Sequence, residues 1–370
     1  MTLVKFISIQ AILFVSLPLI FAAPPRTGQQ NLADDERDDL FPGTGFFIKN
    51  RDPYPDEKAK SWFKEASTLQ KDGDLAGALK LYEKFTKRRT DLLLSHEDKS
   101  VLIGPESLYR AAILRENKGD WSDAFEHLEL IAVAYPRYDF EQVAESLMRI
   151  AEKIVTQDLP KKWGFVPRIR SGSEDRTRLG RIAELARGPR FAPRALMALA
   201  DTALMEDKED EAIIALEKVV NLYPDHHVCE RAYFLLAGIH EGRVSGPAYD
   251  QGSTLKALNF YEDYLILFER PPPRGKYETS NDYQLRLKGY EERKGKAHQS
   301  KREMRQVLAA SKLEIGEYLE DYGKYFLIKW QELGNEPALQ FYNEAITAAP
   351  ESEAARLAEK RVAALRSTDD

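Results

Sequence analysis

The densest group of chemistry-bearing side chains is Asp225-His226-His227 with Cys229, directly after Pro224. Imidazole, thiolate and carboxylate all bind zinc, but a structural site closes with four ligands. Neighbours at one helix start project in different directions, so no metal site is expected. Asp225 is read as the cap of that helix. Cys229 is read as a small core residue; it is the one cysteine, so no intramolecular disulfide can form. A second group is basic. Between Gln157 and Arg194 there are ten Lys or Arg against four Asp or Glu, among them Lys161, Lys162, Arg168 and Arg170. Two readings stand for it: a surface for an acidic partner or an anionic membrane, or a solvated insertion whose arginines pair with nearby carboxylates. The nucleophile elbow GxSxG, the phosphate loop and the HExxH metal signature are all missing from the sequence. The chain therefore reads as a non-enzyme, with no cofactor expected.

The elements that would position these groups follow from spacing. Ala212 and Leu216 share one helical face, and Pro224 follows twelve residues after Ala212, preceded by Tyr223. The same frame runs through Ala124, Leu128, Tyr135 and Pro136, and through Ala338, Tyr342 and Pro350. Ala78-Leu79 with Tyr82, and Ala257-Leu258 with Tyr261, keep its front half. A small residue lets a paired helix approach, a bulky one a turn later fills the adjacent space, and proline stops the helix. Ala144, Ala232 and Ala358 lie eight residues past the three prolines, in the next helix. Such a period predicts stacked helix pairs. Turns containing Gly73, Gly119 and Gly334 separate paired helices, as a left-handed residue after a helix requires. The turn at Glu206-Asp207-Lys208 lacks glycine and is the weakest of the set.

Composition agrees. The 370 residues are 43% hydrophobic and 31% charged, with a net charge of −6, which does not suggest a nucleic-acid binder. Met1 to Ala23 reads as a secretory signal peptide, with Lys5 its one charge and Ala22-Ala23 offering small residues for cleavage. Residues 24–55 read as an extended tether, with acids at Asp34, Asp35, Glu36, Asp38 and Asp39, then Phe41-Pro42-Gly43-Thr44-Gly45-Phe46-Phe47. That aromatic stretch is expected to dock within the chain, on the first repeat, rather than on a partner. The array proper is placed at 56–270, a loop or irregular helical linker at 271–300 after Pro271-Pro272-Pro273, a last repeat and capping helix at 301–366, and a tail at 367–370.

The Ala, aromatic-or-leucine and late-proline frame resembles the tetratricopeptide repeat. The expected fold is thus an all-α solenoid of about five helix pairs with a C-terminal helical cap. With the secretory start, the Tyr-Pro stops and the helix openings Arg194-Ala195 and Arg231-Ala232, the pattern also resembles the BamD-like outer-membrane assembly lipoproteins. That resemblance implies a periplasmic scaffold, at or near the outer membrane, that binds protein or peptide partners during β-barrel assembly, with peripheral membrane association. The family's lipidated cysteine is missing here. Another envelope adaptor, such as one coordinating cell-wall synthesis with division, is the alternative; no heptads precede Asp56 to support it. In tetratricopeptide arrays the first helix of each pair lines the concave surface. Tyr109, Arg110, Arg149, Lys153, Tyr233 and His240 are therefore the partner-binding candidates, with the competing reading that the tyrosines are core and the arginines pair locally.

Overall fold

A computed structural model describes residues 52–96, 99–156, 172–247, 251–326 and 332–369. Among these the chain is helical apart from one short hairpin. The helices are α1 (Asp56–Lys71), α2 (Leu75–Tyr82), α3 (Ile103–Lys118), α4 (Trp121–Ala134), α5 (Phe140–Thr156), α6 (Gly172–Leu185), α7 (Ala192–Met205), α8 (Glu209–Leu222), α9 (Cys229–Gly242), α10 (Gln251–Leu267), α11 (Ser280–Phe326), α12 (Glu336–Ala348) and α13 (Glu353–Asp369). They stack as successive antiparallel pairs, α1 with α2 through α9 with α10, and then α11 with α12.

The frame residues are the interior of the stack. Ala78, Ala124, Ala212, Ala257 and Ala338 are all buried, as are Ala144, Ala232 and Ala358 one unit on. Leu128, Leu216, Tyr82, Tyr261 and Tyr342 fill the space beside them. The tyrosine units carry a feature that spacing alone did not reveal. Their hydroxyls reach back to the first helix of the pair: Tyr82 donates to Gln70 Oε1 at 3.0 Å, Tyr342 to Glu320 Oε2 at 2.6 Å, and Tyr261 to the Glu241 carboxylate. A buried hydroxyl needs such a partner; the leucine units need none. Gly316 faces the Tyr342 ring so closely that a Cβ would lie 2.6 Å from it, so glycine takes the small-residue role there.

The tyrosines of the Tyr-Pro stops also close their units. The Tyr135 hydroxyl accepts the Thr90 N–H at 3.0 Å, and Tyr223 donates to the Arg187 carbonyl at 2.8 Å. Each ties the end of a second helix to the segment that enters its own pair. Gly73 and Gly119 sit at φ +89° and +80°, as their turns require. Where glycine is missing, Asp207 itself takes φ +57°.

Two stretches differ from the expectation. Two short strands, β1 (Leu93–His96) and β2 (Lys99–Leu102), pair antiparallel, with Leu93 opposite Leu102 and Leu94 opposite Val101. Leu92, Leu94 and Val101 pack on the core of the first units. The linker expected at 271–300 is helical from Ser280, and α11 runs unbroken for 47 residues. Along one stripe between Tyr290 and Leu308 it buries Tyr290, Ala297, Ser300, Met304 and Leu308. Arg293 occupies the same stripe through an ion pair with the buried Glu230. A stripe carried partly by arginine and serine is invisible to hydropathy, which is why the segment looks irregular in sequence.

Candidate functional site

The first helices of the pairs present the face expected to hold a ligand, and their charges are spent on one another. Arg149 Nη2 and Lys153 Nζ of α5 grip Glu116 of α3 at 2.8 and 2.9 Å. Arg194 of α7 reaches Glu152 of α5 at 2.6 Å, and Arg231 of α9 holds both oxygens of Asp201 on α7 at 2.7 and 3.0 Å. Arg293 of α11 clasps both oxygens of Glu230 on α9, where Tyr264 also donates at 2.7 Å. Each rung joins one first helix to the next. Arg110 pairs with Glu106 on its own helix at 2.8 Å and donates to Ser67 and Tyr82.

The nominated residues fall into two groups. Tyr109, Arg110, Arg149 and Lys153 lie together on α3 and α5. The Tyr109 hydroxyl is 3.4 Å from Ser146 Oγ and its ring meets Tyr138. Tyr233 and His240 lie apart on α9: Tyr233 packs on Phe260 and Phe268, and His240 is buried and stacked on Phe260. Lys161, Lys162, Arg168 and Arg170 lie outside the described residues, as do Met1 to Ala23 and the tether up to residue 51. The described arginines of the basic insertion follow the local-pairing reading: Arg176 pairs with Glu206 and Glu211, Arg181 with Glu129, and Arg190 with Glu141 and Glu145.

A cleft opens instead at one edge of the stack, with a volume of about 900 Å³, in the size range of ligand sites. Its floor is the two turns that enter α7 and α9, Gly188–Phe191 and Asp225–His227. Phe140 and Glu141 at the start of α5 form one wall, and the Pro272–Glu278 segment forms the other. That second wall is built by Arg286. Its guanidinium holds the Glu278 carboxylate at 2.7 and 3.0 Å and donates to the carbonyls of Pro272 and Pro273. Glu278 also accepts the Gly275 N–H at 2.9 Å. These donors, Arg286 first, hold the Glu278 carboxyl down at about 2, far below the usual carboxylate range.

The wall presses on the histidines. A Cβ on Gly275 would lie 2.8 Å from His227 Nδ1, so any larger residue there would have to push the His227 ring aside. The His226 and His227 rings lie 4.3 Å apart. Burial, then the adjacent His227 and Arg194, push His226 down to about 4. Both rings are neutral at pH 7 and present an uncharged floor. Asp225 does not cap α9: the N-cap is Val228 and no side chain caps that end. Cys229 is buried, as expected, with its thiol pushed up to about 11 by burial. No group of three or more His, Cys, Asp or Glu among the described residues is arranged to hold a metal.

At the mouth, the Tyr277 ring is 61% exposed, with the Arg190 guanidinium 4.6 Å from its centre. Arg274 and Lys276 flank it. Arg274 donates to the Glu278 carbonyl and Lys276 stands over the Tyr277 ring, and neither forms an ion pair among the described residues. The cleft thus joins aromatic and proline walls to two cations whose charge is not neutralised locally. Sequence reasoning singled out its His pair and its proline run separately. It had no signal that a folded segment would bring them together.

A tetratricopeptide-repeat family model matches residues 106–138 and 194–226. The chain carries tetratricopeptide repeats. The two matched segments are α3–α4 and α7–α8, the pairs with both a central Ala–Leu step and a Tyr-Pro stop. Among solved structures, the repeat array is similar to a crystal structure of MamA at 18% identity, covering 60% of this chain and 97% of that one with a TM-score of 0.30. It is also similar to TTC0263, a thermophilic repeat protein of Thermus thermophilus, at 16% identity, 63% and 98% coverage and a TM-score of 0.25. No curated protein sequence matches the chain. Tetratricopeptide repeats imply a scaffold for protein–protein interaction.

Proposed function

We propose that this chain is an exported, non-enzymatic scaffold that holds a segment of a partner protein in the edge cleft, and that it serves the assembly of outer-membrane β-barrel proteins in the periplasm. The observation that carries the binding reading is the cleft itself. Its Arg286-clamped wall is formed in advance, so little ordering remains to oppose a ligand. Phe140 and Tyr277 offer exposed rings, and rings with a polar rim are what protein interfaces use at their centres. The envelope location rests on the leader-like Met1 to Ala23, and the assembly role on the pattern shared with BamD-like proteins. No helix among the described residues is long and apolar enough to cross a membrane.

A photo-crosslinking residue at Tyr277, in cells that export the chain, tests both parts. Adducts with β-barrel precursors or their assembly machinery are expected from Tyr277 and not from Met205, which is exposed at the far end of α7 from the cleft. Equal adducts from the two positions would remove the cleft as the site. Adducts with proteins of cell-wall synthesis would replace the assembly role with the adaptor role.

A further inference from the structure

The cleft asks for an occupant that is aromatic at one end and acidic at the other, and the chain contains one. Residues 34–41 read Asp-Asp-Glu-Arg-Asp-Asp-Leu-Phe. We infer that this N-terminal segment of the chain itself docks in the edge cleft, with Phe41 against Phe140 and Tyr277 and the acidic cluster against Arg274 and Lys276.

Reach and direction agree. The pairs are antiparallel, so every first helix starts at the same edge, and the cleft lies among the starts of α5, α7 and α9. The chain enters α1 at that edge through Asp52–Pro55. Helices packed about 10 Å apart put the start of α7 roughly 30 Å from the start of α1. Phe41 precedes Asp52 by eleven residues, an extended span of up to about 37 Å. The five acids of the cluster come next and extend towards the far wall, where the two cations stand.

Charge decides the orientation. Among the lining acids, Glu141 pairs with Arg190, Glu278 with Arg286, Asp282 accepts from Thr279 and Asp225 lies on the floor, while among the described residues neither Arg274 nor Lys276 forms an ion pair. Carboxylates at residues 34–39 would neutralise them. A partner must then displace this segment, which makes the tether a competitor for the site proposed above. The inference rests on the cleft being a peptide site, but its test needs no partner.

The test is disulfide trapping in the full chain, with Phe41→Cys paired with Tyr277→Cys. Cys229 is buried and its raised thiol stays out of the reaction. Mild oxidation is expected to give an intramolecular crosslink about tenfold faster than the control pair Phe41→Cys with Met205→Cys, exposed at the far end of α7, because docking raises the effective concentration. Adding Arg274→Glu and Lys276→Glu, both at the surface, is expected to cut that rate about fivefold in low salt and less in high salt. Equal rates for the two pairs would overturn the inference, as would indifference to the charge reversals. A crosslink found only between two chains would also overturn it and assign the cleft to a second copy. In either case the partner reading stands or falls by the photo-crosslinking above.

Discussion

On the face made by the first helices, arginines and carboxylates close rungs from one unit to the next, whereas at the edge cleft Arg274 donates to a backbone carbonyl, Lys276 stands over Tyr277, and neither forms an ion pair among the described residues. The same residue types serve cohesion in one region and leave charge for an outside group in the other. Burial separates them further. The rung Arg293–Glu230 is interior, with Glu230 fully buried, while Arg231–Asp201 is partly exposed. A charge on a repeat surface therefore says nothing about ligands until its partner one unit away is known.

Five experiments test that contrast. Glu230→Ala should cost most, about 3–5 kcal/mol, because it strands Arg293 and the Tyr264 hydroxyl in the interior; chemical denaturation measures it, and a loss under 1 kcal/mol would show the rung to be dispensable. Acid should act next, and at the cleft. His226 sits below its ordinary value in the fold, so the unfolded chain binds more protons between about pH 6.5 and 4. Stability is then complete above pH 6.5 and declines as pH falls through that window, by at most about 3 kcal/mol. Glu278 adds a further loss between its ordinary value and about 2. His226→Asn should flatten the upper part of the curve in thermal melts at stepped pH; an unchanged slope would place the titration elsewhere.

Ala212→Leu should overpack the α7–α8 contact and lower stability by about 1–3 kcal/mol; an unchanged melting temperature would contradict its burial. Asp207→Gly should raise stability by up to about 1 kcal/mol, since glycine accepts the left-handed conformation without strain. Arg231→Ala should change least, about 0–1 kcal/mol, and the change should shrink in high salt, as for exposed ion pairs. A larger cost there than for Glu230→Ala would invert the ranking of the rungs.

The repeat frame was legible because alanine, a bulky neighbour and proline act locally: each fixes one helix, and the period multiplies the signal. Asp207 shows how far this reaches, for the turn marked as lacking glycine is the one whose aspartate adopts a positive φ. The site was less legible. Arg149 and Arg194 point from the sequence to a ligand as readily as to Glu116 and Glu152, since pairs 33 and 42 residues apart leave no local trace. The cleft depends on Arg286 gathering Pro272, Pro273 and Glu278 into one wall, a tertiary event. The start of α11 was missed because a helix stripe built on Arg293 and Ser300 carries no hydropathy.

That helix has a mechanical meaning. At 1.5 Å per residue its 47 residues make a rod about 70 Å long. One half is bolted to α9 and α10, the other to α12 and α13. Both groups of helices therefore share one continuous element, with Arg293 anchored to Glu230 in one half and Gly316 seated on the Tyr342 ring in the other.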